Sequence, residues 1–324
     1  MAANSGTVCC SSCEKEGSHR FSSMPKTLGP LRKLLVFTAM MTVLLLSSFV
    51  LTGCTGRDIQ GQIIVSGSTT LLPIAETAAQ QFEAAHPQYI VLVSGMGTSA
   101  GIEAVGVTGT ADIGTSSRDL RGAELDLDLI EIPVAYDGIA VIVHPDNPVN
   151  NLTLAELRDV FSGNITNWQE LGGPDMPIVL VNRDEASGTR SSFASAVMDD
   201  ESFEVNSVVL PGTGQVREVV ARTPEAIGYI SVGFVEPRHV ETYVQAISLD
   251  GVEPTDENII SEEYPISRAL HFLVAGTPEG SALEYIEFVL SDEVQQGAVR
   301  DAGFLPITEA DHTEFRRMLS EGNY

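Results

Sequence analysis

Apolar and polar positions along residues 61–87 follow a strand pattern that changes to a helix pattern. A short β-branched run ends in a Gly/Ser/Thr turn, after which apolar side chains recur at helical spacing. These apolar positions are Leu71, Leu72, Ala75, Ala78, Ala79 and Phe82. Pro73 falls in the first turn, where proline is tolerated, and Pro87 follows the end of the pattern. The segment predicts a strand, a tight polar turn and an amphipathic helix.

The same order of strand, hydroxyl-rich turn and helix recurs in residues 89–107 and 176–198. Residues 111–125 predict a shorter strand that runs into another such turn. Alternating strands and helices are typical of parallel sheets with helices on both faces. We therefore predict an α/β fold.

Two later stretches predict how the chain passes between domains. Residues 129–148 predict a pair of strands interrupted at Ala135 to Gly138, which suits a crossing between two domains. Residues 264–276 predict a strand that returns to the first domain, and residues 279–307 predict a final pair of helices packed against it.

The N-terminus carries an uncharged apolar run over residues 34–51, preceded by Arg32 and Lys33. The run is long enough to span a bilayer, and an uncleaved signal-anchor helix is one reading. It ends in "LTGC", which resembles the lipobox of secreted lipoproteins, so we expect cleavage before Cys54 and lipidation of that cysteine. Residues 1–53 would then be a leader, with Met24 as an alternative start, and residues 54–60 a linker.

Composition limits the function classes. The 324 residues include 43% hydrophobic and 19% charged residues, enough for two domains with apolar cores. From Cys54 onward the chain has 13 basic residues, all arginine, against 42 acidic residues, which gives a formal net charge of −29. This balance excludes a general nucleic-acid binder. The absence of lysine from this part excludes a Walker A loop and a Schiff base.

Three turns place hydroxyl groups and glycine where a strand passes into a helix: Gly67–Thr70, Gly97–Gly101 and Ser187–Thr189. Helix N-termini carry free N–H donors and a partial positive charge, and ligands bind at the carboxyl ends of strands in open α/β sheets. Each turn alone could be an ordinary helix cap. Together they predict a site for a small oxyanion.

Arg183 is the strongest single candidate, because it ends the apolar strand "PIVLV" just before the third turn. Its guanidinium group can donate two parallel hydrogen bonds to an oxyanion. A surface salt bridge with Asp184 or Glu185 would explain the same residues without a ligand.

The segment "RDEASGTR" at residues 183–190 resembles the R-x-(D/E)-x-S-G-T motif of the phosphate-binding proteins of phosphate ABC-transport systems (the PstS-like family). Further blocks match in family order, among them "GSTTLLPI", "GMGTSAGI", "ADIGTSSRDL", "VFSGNITNWQELGG" and "YPISRALHFLV". The resemblance covers roughly residues 62–307. It implies a two-lobed type II periplasmic-binding-protein fold, in which each lobe is a mixed, mostly parallel sheet flanked by helices. The hinge would have two crossovers, with residues 61–135 plus 265–324 in one lobe and residues 136–264 in the other.

The resemblance also implies a set of phosphate ligands. They are Ser68, Thr69, Thr70, Thr98, Ser99, Ser117, Arg118, Arg183, Ser187, Gly188 and Thr189. Some family members use an aspartate where Ser117 stands here, as acceptor for the proton of the phosphate. We nominate Asp137 as the replacement acceptor and Asp119 as the second choice. Arg118 either adds a donor or pairs with Asp119.

By resemblance, the expected function is capture of inorganic phosphate outside the cytoplasm and its delivery to the membrane permease of an ABC transporter. The protein would be a monomer held at the membrane by the lipid on Cys54, with no cofactor and no nucleic-acid partner. Sulfate, molybdate or tungstate are alternative ligands. A phosphoester hydrolase with Ser187 or Thr189 as nucleophile is a further alternative, opposed by the lack of a G-x-S-x-G turn. The six histidines show no metal-binding spacing, so no metal site is expected.

Overall fold

The computed structural model describes residues 59–236 and 243–321. The predicted leader and Cys54 lie outside these residues, so the lipidation site stays a prediction. Within the described part of the chain, no helix is both long enough and apolar enough to cross a bilayer.

Eleven strands are present among the described residues. They are β1 (Gly61–Gly67), β2 (Tyr89–Gly95), β3 (Ile113–Ser116), β4 (Leu129–Val143), β5 (Asn151–Leu152), β6 (Val179–Arg183), β7 (Val208–Leu210), β8 (Ala226–Ser231), β9 (Gln245–Ala246), β10 (Ser248–Leu249) and β11 (Ser267–Ala275).

The α-helices follow the strands much as predicted. They are α1 (Leu72–Ala85), α2 (Thr98–Gly106), α3 (Leu154–Phe161), α4 (Gly188–Phe193), α5 (Thr213–Arg222), α6 (Asp256–Ile260), α7 (Gly280–Val289), α8 (Asp292–Val294) and α9 (Glu309–Glu321). Helix α1 buries four of the predicted apolar positions and carries Pro73 in its first turn. Single π-helical turns continue α4 and α8, over Ala194–Met198 and Gln295–Val299 respectively.

One mixed sheet runs through the molecule in the order β2-β1-β3-β11-β4-β8-β6-β7, with β9 also paired to β4. Strand β1 is parallel to both β2 and β3, and β6 is parallel to both β7 and β8. Strand β11 is antiparallel to β3 and β4, and β4 is antiparallel to β8. The predicted α/β class with mixed sheets and flanking helices is confirmed.

Residues 129–148 do not form the predicted pair of strands. Instead β4 is one uninterrupted strand of 15 residues. Its residues up to Gly138 pair with β11, and its residues from Ile139 onward pair with β8. The stretch from Ala135 to Gly138 suggested a break, but backbone pairing on both sides carries the strand through it.

Separate apolar cores pack against the two parts of the sheet. One surrounds β1, β3 and the first part of β4, and includes residues of α1 and α7. Two others pack against the second part of β4 and β8, one with α3 and Trp168 and one with α5. The lobe limits at 135/136 and 264/265 stay a prediction.

Candidate functional site

The strand-to-helix turns meet at one small polar cavity. It lies where β1 leads into α1, β2 into α2 and β6 into α4, beside the residue that follows β3. Its lining residues are Ser68, Thr69, Thr70, Gly97, Thr98, Ser117, Arg183, Ser187, Gly188 and Thr189. Of the eleven predicted ligands, all but Ser99 and Arg118 lie together there.

Two glycines allow the turns to approach this closely. Gly97 has φ of 96°, and a Cβ atom there would lie 2.9 Å from the carbonyl oxygen of Ala186. A Cβ atom on Gly188 would overlap the hydroxyl of Thr98. Larger residues at either position would push the turn before α2 away from the turn before α4.

Hydroxyl groups from different turns hydrogen-bond one another across the cavity. Thr70 Oγ1 lies 3.1 Å from Thr189 Oγ1, and the hydroxyls of Ser68 and Ser117 form a second pair. Thr98 Oγ1 accepts a hydrogen bond of 3.1 Å from the backbone N–H of Ser117. Because each hydroxyl can rotate and can both donate and accept, the set can turn its protons toward a bound anion.

Arg183 supplies the positive charge of the cavity. The residue is 1% exposed and stands at the last position of β6. Its Nη2 donates to Thr69 Oγ1 at 3.1 Å and to the carbonyl oxygen of Pro211 at 2.8 Å, while Nη1 donates to Thr213 Oγ1 at 3.0 Å. Neutral oxygens thus fix the orientation of the guanidinium group and leave its charge uncompensated.

The salt-bridge explanation of Arg183 is wrong. Within the described residues no carboxylate lies within ion-pair distance of its guanidinium group, and neither Asp184 nor Glu185 reaches it. Burial lowers the pKa of Arg183 to about 10, against the opposing charges of Tyr229 and Asp184. A buried cation without a counter-ion is costly, so an anion in the cavity would relieve that cost.

The cavity lining includes neither Ser99 nor Arg118, and it does not include the second-choice acceptor Asp119. Ser99 donates its backbone N–H to the carbonyl oxygen of Ala186 at 3.1 Å, and so ties two turns together. Arg118 instead forms an ion pair with Glu124, at 2.6 Å between Nη1 and Oε2. The side chain of Asp119 is 82% exposed and also lies outside the lining.

Asp137, the nominated proton acceptor, is fully buried but does not reach the cavity lining. Its Oδ2 accepts hydrogen bonds from Arg268 Nη2 at 2.7 Å and Nε at 3.0 Å, and its Oδ1 accepts one from Ser231 Oγ at 2.7 Å. The carboxylate is therefore already occupied. The sequence alone did not show that Arg268 faces Asp137, because the two residues are brought together only by the pairing of β4 with β11.

The structure adds two residues to the site that the sequence did not single out. Thr213 begins α5, 3.0 Å from Arg183 Nη1 and 3.2 Å from Thr69 Oγ1. It follows β7 in the segment "PGTGQ", a fourth strand-turn-helix pattern that could have revealed it. Arg268 donates from Nη1 to the carbonyl oxygen of Ser117 at 2.9 Å, and so helps to position this lining residue without lining the cavity itself.

The cavity combines neutral donors with one cation, and no described lining residue is acidic or a histidine. Such an arrangement can bind an oxyanion but offers no general base to activate a serine or threonine hydroxyl.

Comparison with known proteins agrees with this geometry. A model of the PBP superfamily domain matches residues 53–293. The phosphate-binding protein PstS of Bacillus subtilis is 32% identical over 252 residues, covering 77% of this chain and 82% of that protein. The PstS of Borreliella burgdorferi is 30% identical over 273 residues, covering 82% of this chain and 97% of that protein.

Solved structures show the same fold. A putative phosphate ABC transporter substrate-binding protein from Clostridium perfringens, with bound phosphate, is 38% identical with a TM-score of 0.71, covering 76% of this chain and all of that one. An ABC-type phosphate transport receptor from Vibrio cholerae is 32% identical with a TM-score of 0.63 over 76% of this chain and all of that one. The predicted type II periplasmic-binding-protein fold is confirmed. Since the domain model and these relatives span most of its length, the chain belongs to the PBP superfamily and, within it, to the PstS-like phosphate-binding proteins.

Proposed function

We propose that this protein captures inorganic phosphate in the cavity around Arg183 and delivers it to the permease of an ABC transporter. The observation that carries the proposal is the buried guanidinium group of Arg183, which has no carboxylate partner among the described residues. The PstS relatives and the phosphate-bound structure from Clostridium perfringens support phosphate as the ligand.

Neutral donors allow such binding in a strongly acidic protein. Hydroxyl groups and the N-termini of α2 and α4 surround the cavity, so the dianion needs few formal counter-charges. Burial strengthens each of these hydrogen bonds, because water no longer competes for the donors.

Sulfate is the second candidate, and one observation favours it. No described lining residue carries a carboxylate, so nothing in the lining repels an oxyanion that has no proton to donate. The acceptors for the proton of phosphate would be hydroxyl oxygens, such as those of the Ser68–Ser117 pair.

Isothermal titration calorimetry with phosphate and with sulfate at neutral pH tests the assignment. We expect one phosphate per chain and clearly weaker binding of sulfate, since only phosphate can both accept and donate at the hydroxyl pairs. Equal affinity for the two anions would contradict the phosphate assignment.

Arg183→Ala tests whether the buried cation carries the binding. We expect phosphate affinity to fall by about 1.5–3 kcal/mol, the range for hydrogen bonds to charged groups. This corresponds to a dissociation constant that is larger by roughly tenfold to more than one hundredfold. Arg222→Ala is the matched control, because Arg222 is exposed and pairs with Glu218 on the same helix. Unchanged affinity of the Arg183 variant would show that the anion binds elsewhere.

We further propose that the protein works outside the cytoplasm as a monomer, held at the membrane by the lipid on Cys54. Two lobes with the predicted limits would close on the anion by bending where β4 changes partners, between Gly138 and Ile139. Mass spectrometry of protein from membranes would detect a diacylglycerol group on Cys54, and an unmodified cysteine would contradict the anchor.

The protein is a binding protein and not an enzyme, in keeping with relatives that are phosphate-binding transport proteins. The alternative of a phosphoester hydrolase is therefore set aside.

A further inference from the structure

A cluster of three potential metal ligands lies outside the anion cavity. Asp119, Glu131 and His271 each place one ligand atom within 4.8 Å of the other two. They come from three separate segments: the turn after β3, the strand β4 and the strand β11. Spacing along the sequence could not reveal them, because the histidine lies 140 positions after the glutamate.

His271 is the member of this cluster whose burial is not explained by hydrogen bonds. The residue is 5% exposed, and its Nδ1 is buried without a hydrogen-bond partner within the described residues. Its Nε2 faces Asp119, 3.9 Å from Oδ1, which is too long for a hydrogen bond. Burial lowers the pKa of His271, against the charges of Asp119 and Asp311.

The two carboxylates add negative charge that is only partly balanced. Glu131 Oε1 accepts a hydrogen bond of 2.7 Å from the backbone N–H of Leu120, which fixes the side chain and leaves its second oxygen for a cation. Burial chiefly raises the pKa of Glu131, while Asp119 raises it further and Arg118 lowers it. Arg118 is the nearby cation, but both ends of its guanidinium group are bound by Glu124.

We propose that Asp119, Glu131 and His271 form a binding site for a divalent transition-metal cation of the zinc class. Zinc binds histidine nitrogen and carboxylate oxygen at about 2.0–2.2 Å, so the ligand atoms of a tetrahedral site lie roughly 3.4 Å apart. The 3.9 Å between His271 Nε2 and Asp119 Oδ1 is longer than this, so the carboxylate must move toward the ring when an ion binds. Asp119 is exposed and can rotate to complete the site.

The ligand set distinguishes among cations. One imidazole and two carboxylates match the mixed nitrogen and oxygen sites of zinc, with a fourth position left for water. Calcium requires six to eight oxygen ligands, which this cluster does not supply from its three side chains. The site should therefore take Zn²⁺ in preference to Ca²⁺.

Titration of the full-length protein with ZnCl₂ tests the site, after EDTA treatment, alkylation of the four cysteines and transfer to phosphate-free buffer. We expect one equivalent of Zn²⁺ to bind, with no comparable heat from CaCl₂. Asp119→Asn and His271→Gln should each weaken binding by at least about tenfold, since the loss of a residue that only supports a metal ligand already costs about 10–100-fold.

His144→Gln is the matched control. His144 Nδ1 lies 3.8 Å from Asp146 Oδ2, nearly the same separation, but it already accepts a hydrogen bond from the backbone N–H of Asp146. Unchanged zinc affinity in this variant supports the site. No saturable binding near one equivalent would overturn the proposal, and so would equal affinity in the parent and Asp119→Asn. The exposed Asp119 makes that variant informative even if replacement of the buried histidine disturbs folding.

Discussion

Two buried arginines at and beside the cavity have opposite surroundings. Arg268 forms an ion pair with Asp137, whose remaining oxygen is bound by Ser231, so its charge is balanced within the protein. Arg183 is equally buried, but its donors reach only hydroxyl and carbonyl oxygens.

This difference distinguishes an arginine that stabilises the fold from an arginine that binds a ligand. A buried cation with an internal counter-ion stabilises one arrangement of the backbone, while a buried cation without one is stabilised by a ligand. Arg268 also donates to the carbonyl oxygen of Ser117, so the balanced pair supports the wall of the unbalanced site. Loss of Arg183 should therefore appear in anion affinity, as proposed above, and loss of the Asp137–Arg268 pair should appear first in stability.

The largest effect is expected for Asp137→Asn, which leaves Arg268 buried without its counter-ion. We expect the free energy of unfolding of the ligand-free protein to fall by about 3–5 kcal/mol. Urea unfolding followed by circular dichroism measures this.

The double variant Asp137→Leu with Arg268→Met is the control for that experiment. Replacing a whole buried ion pair by apolar residues is often neutral, so stability should largely return. A loss below about 1 kcal/mol in Asp137→Asn alone would show that the pair is not a structural requirement.

Gly188→Ala should affect the site rather than the rest of the fold. The added Cβ would overlap the hydroxyl of Thr98 and separate two turns of the cavity. We expect phosphate affinity to fall by about 1–3 kcal/mol, the usual cost of overpacking. Calorimetric titration measures it, with Gly214→Ala as control because a Cβ there meets nothing within 4 Å. An equal loss in both variants would contradict the steric explanation.

Thr213→Val should have a smaller effect, because it removes one hydroxyl that orients Arg183. We expect phosphate affinity to fall by about 0.5–1.5 kcal/mol, the net value of one hydrogen bond. If affinity is unchanged in the same titration, the remaining contacts of Arg183 hold the guanidinium group without Thr213.

Glu185→Gln should have the smallest effect and separates the two explanations of Arg183. Glu185 is exposed and forms no ion pair with Arg183. We expect both stability and phosphate affinity to stay within about 0.5 kcal/mol of the parent. A larger loss in either would revive the surface salt bridge.

Sequence patterns predicted the strand-to-helix turns and most of the cavity, because glycine and hydroxyl residues mark such turns locally. Thr70, Thr98 and Thr189 all lie where the turns predicted them. The local pattern failed at β4, where pairing with β11 and β8 keeps the strand continuous through Tyr136 and Asp137. Pairing partners are distant in the chain, so a local pattern does not contain them.

Side-chain partners across the sheet could likewise not be predicted from the sequence. Asp137 had the chemistry of a proton acceptor, but only the register of β11 against β4 shows that Arg268 occupies it. The partner of Arg118 could not be predicted either, because its pairing with Glu124 depends on how the turn after β3 folds.

The enclosure of the cavity has a kinetic consequence. Seven of its lining side chains are at most 3% exposed: Ser68, Thr70, Thr98, Ser117, Arg183, Ser187 and Thr189. An ion held among them has no diffusive exit while hydrogen bonds such as that between Thr70 and Thr189 remain closed. If the two lobes close as proposed, the dissociation rate of the ion cannot exceed the rate at which the protein opens, so the residence time depends on the proposed hinge as well as on the ligand contacts.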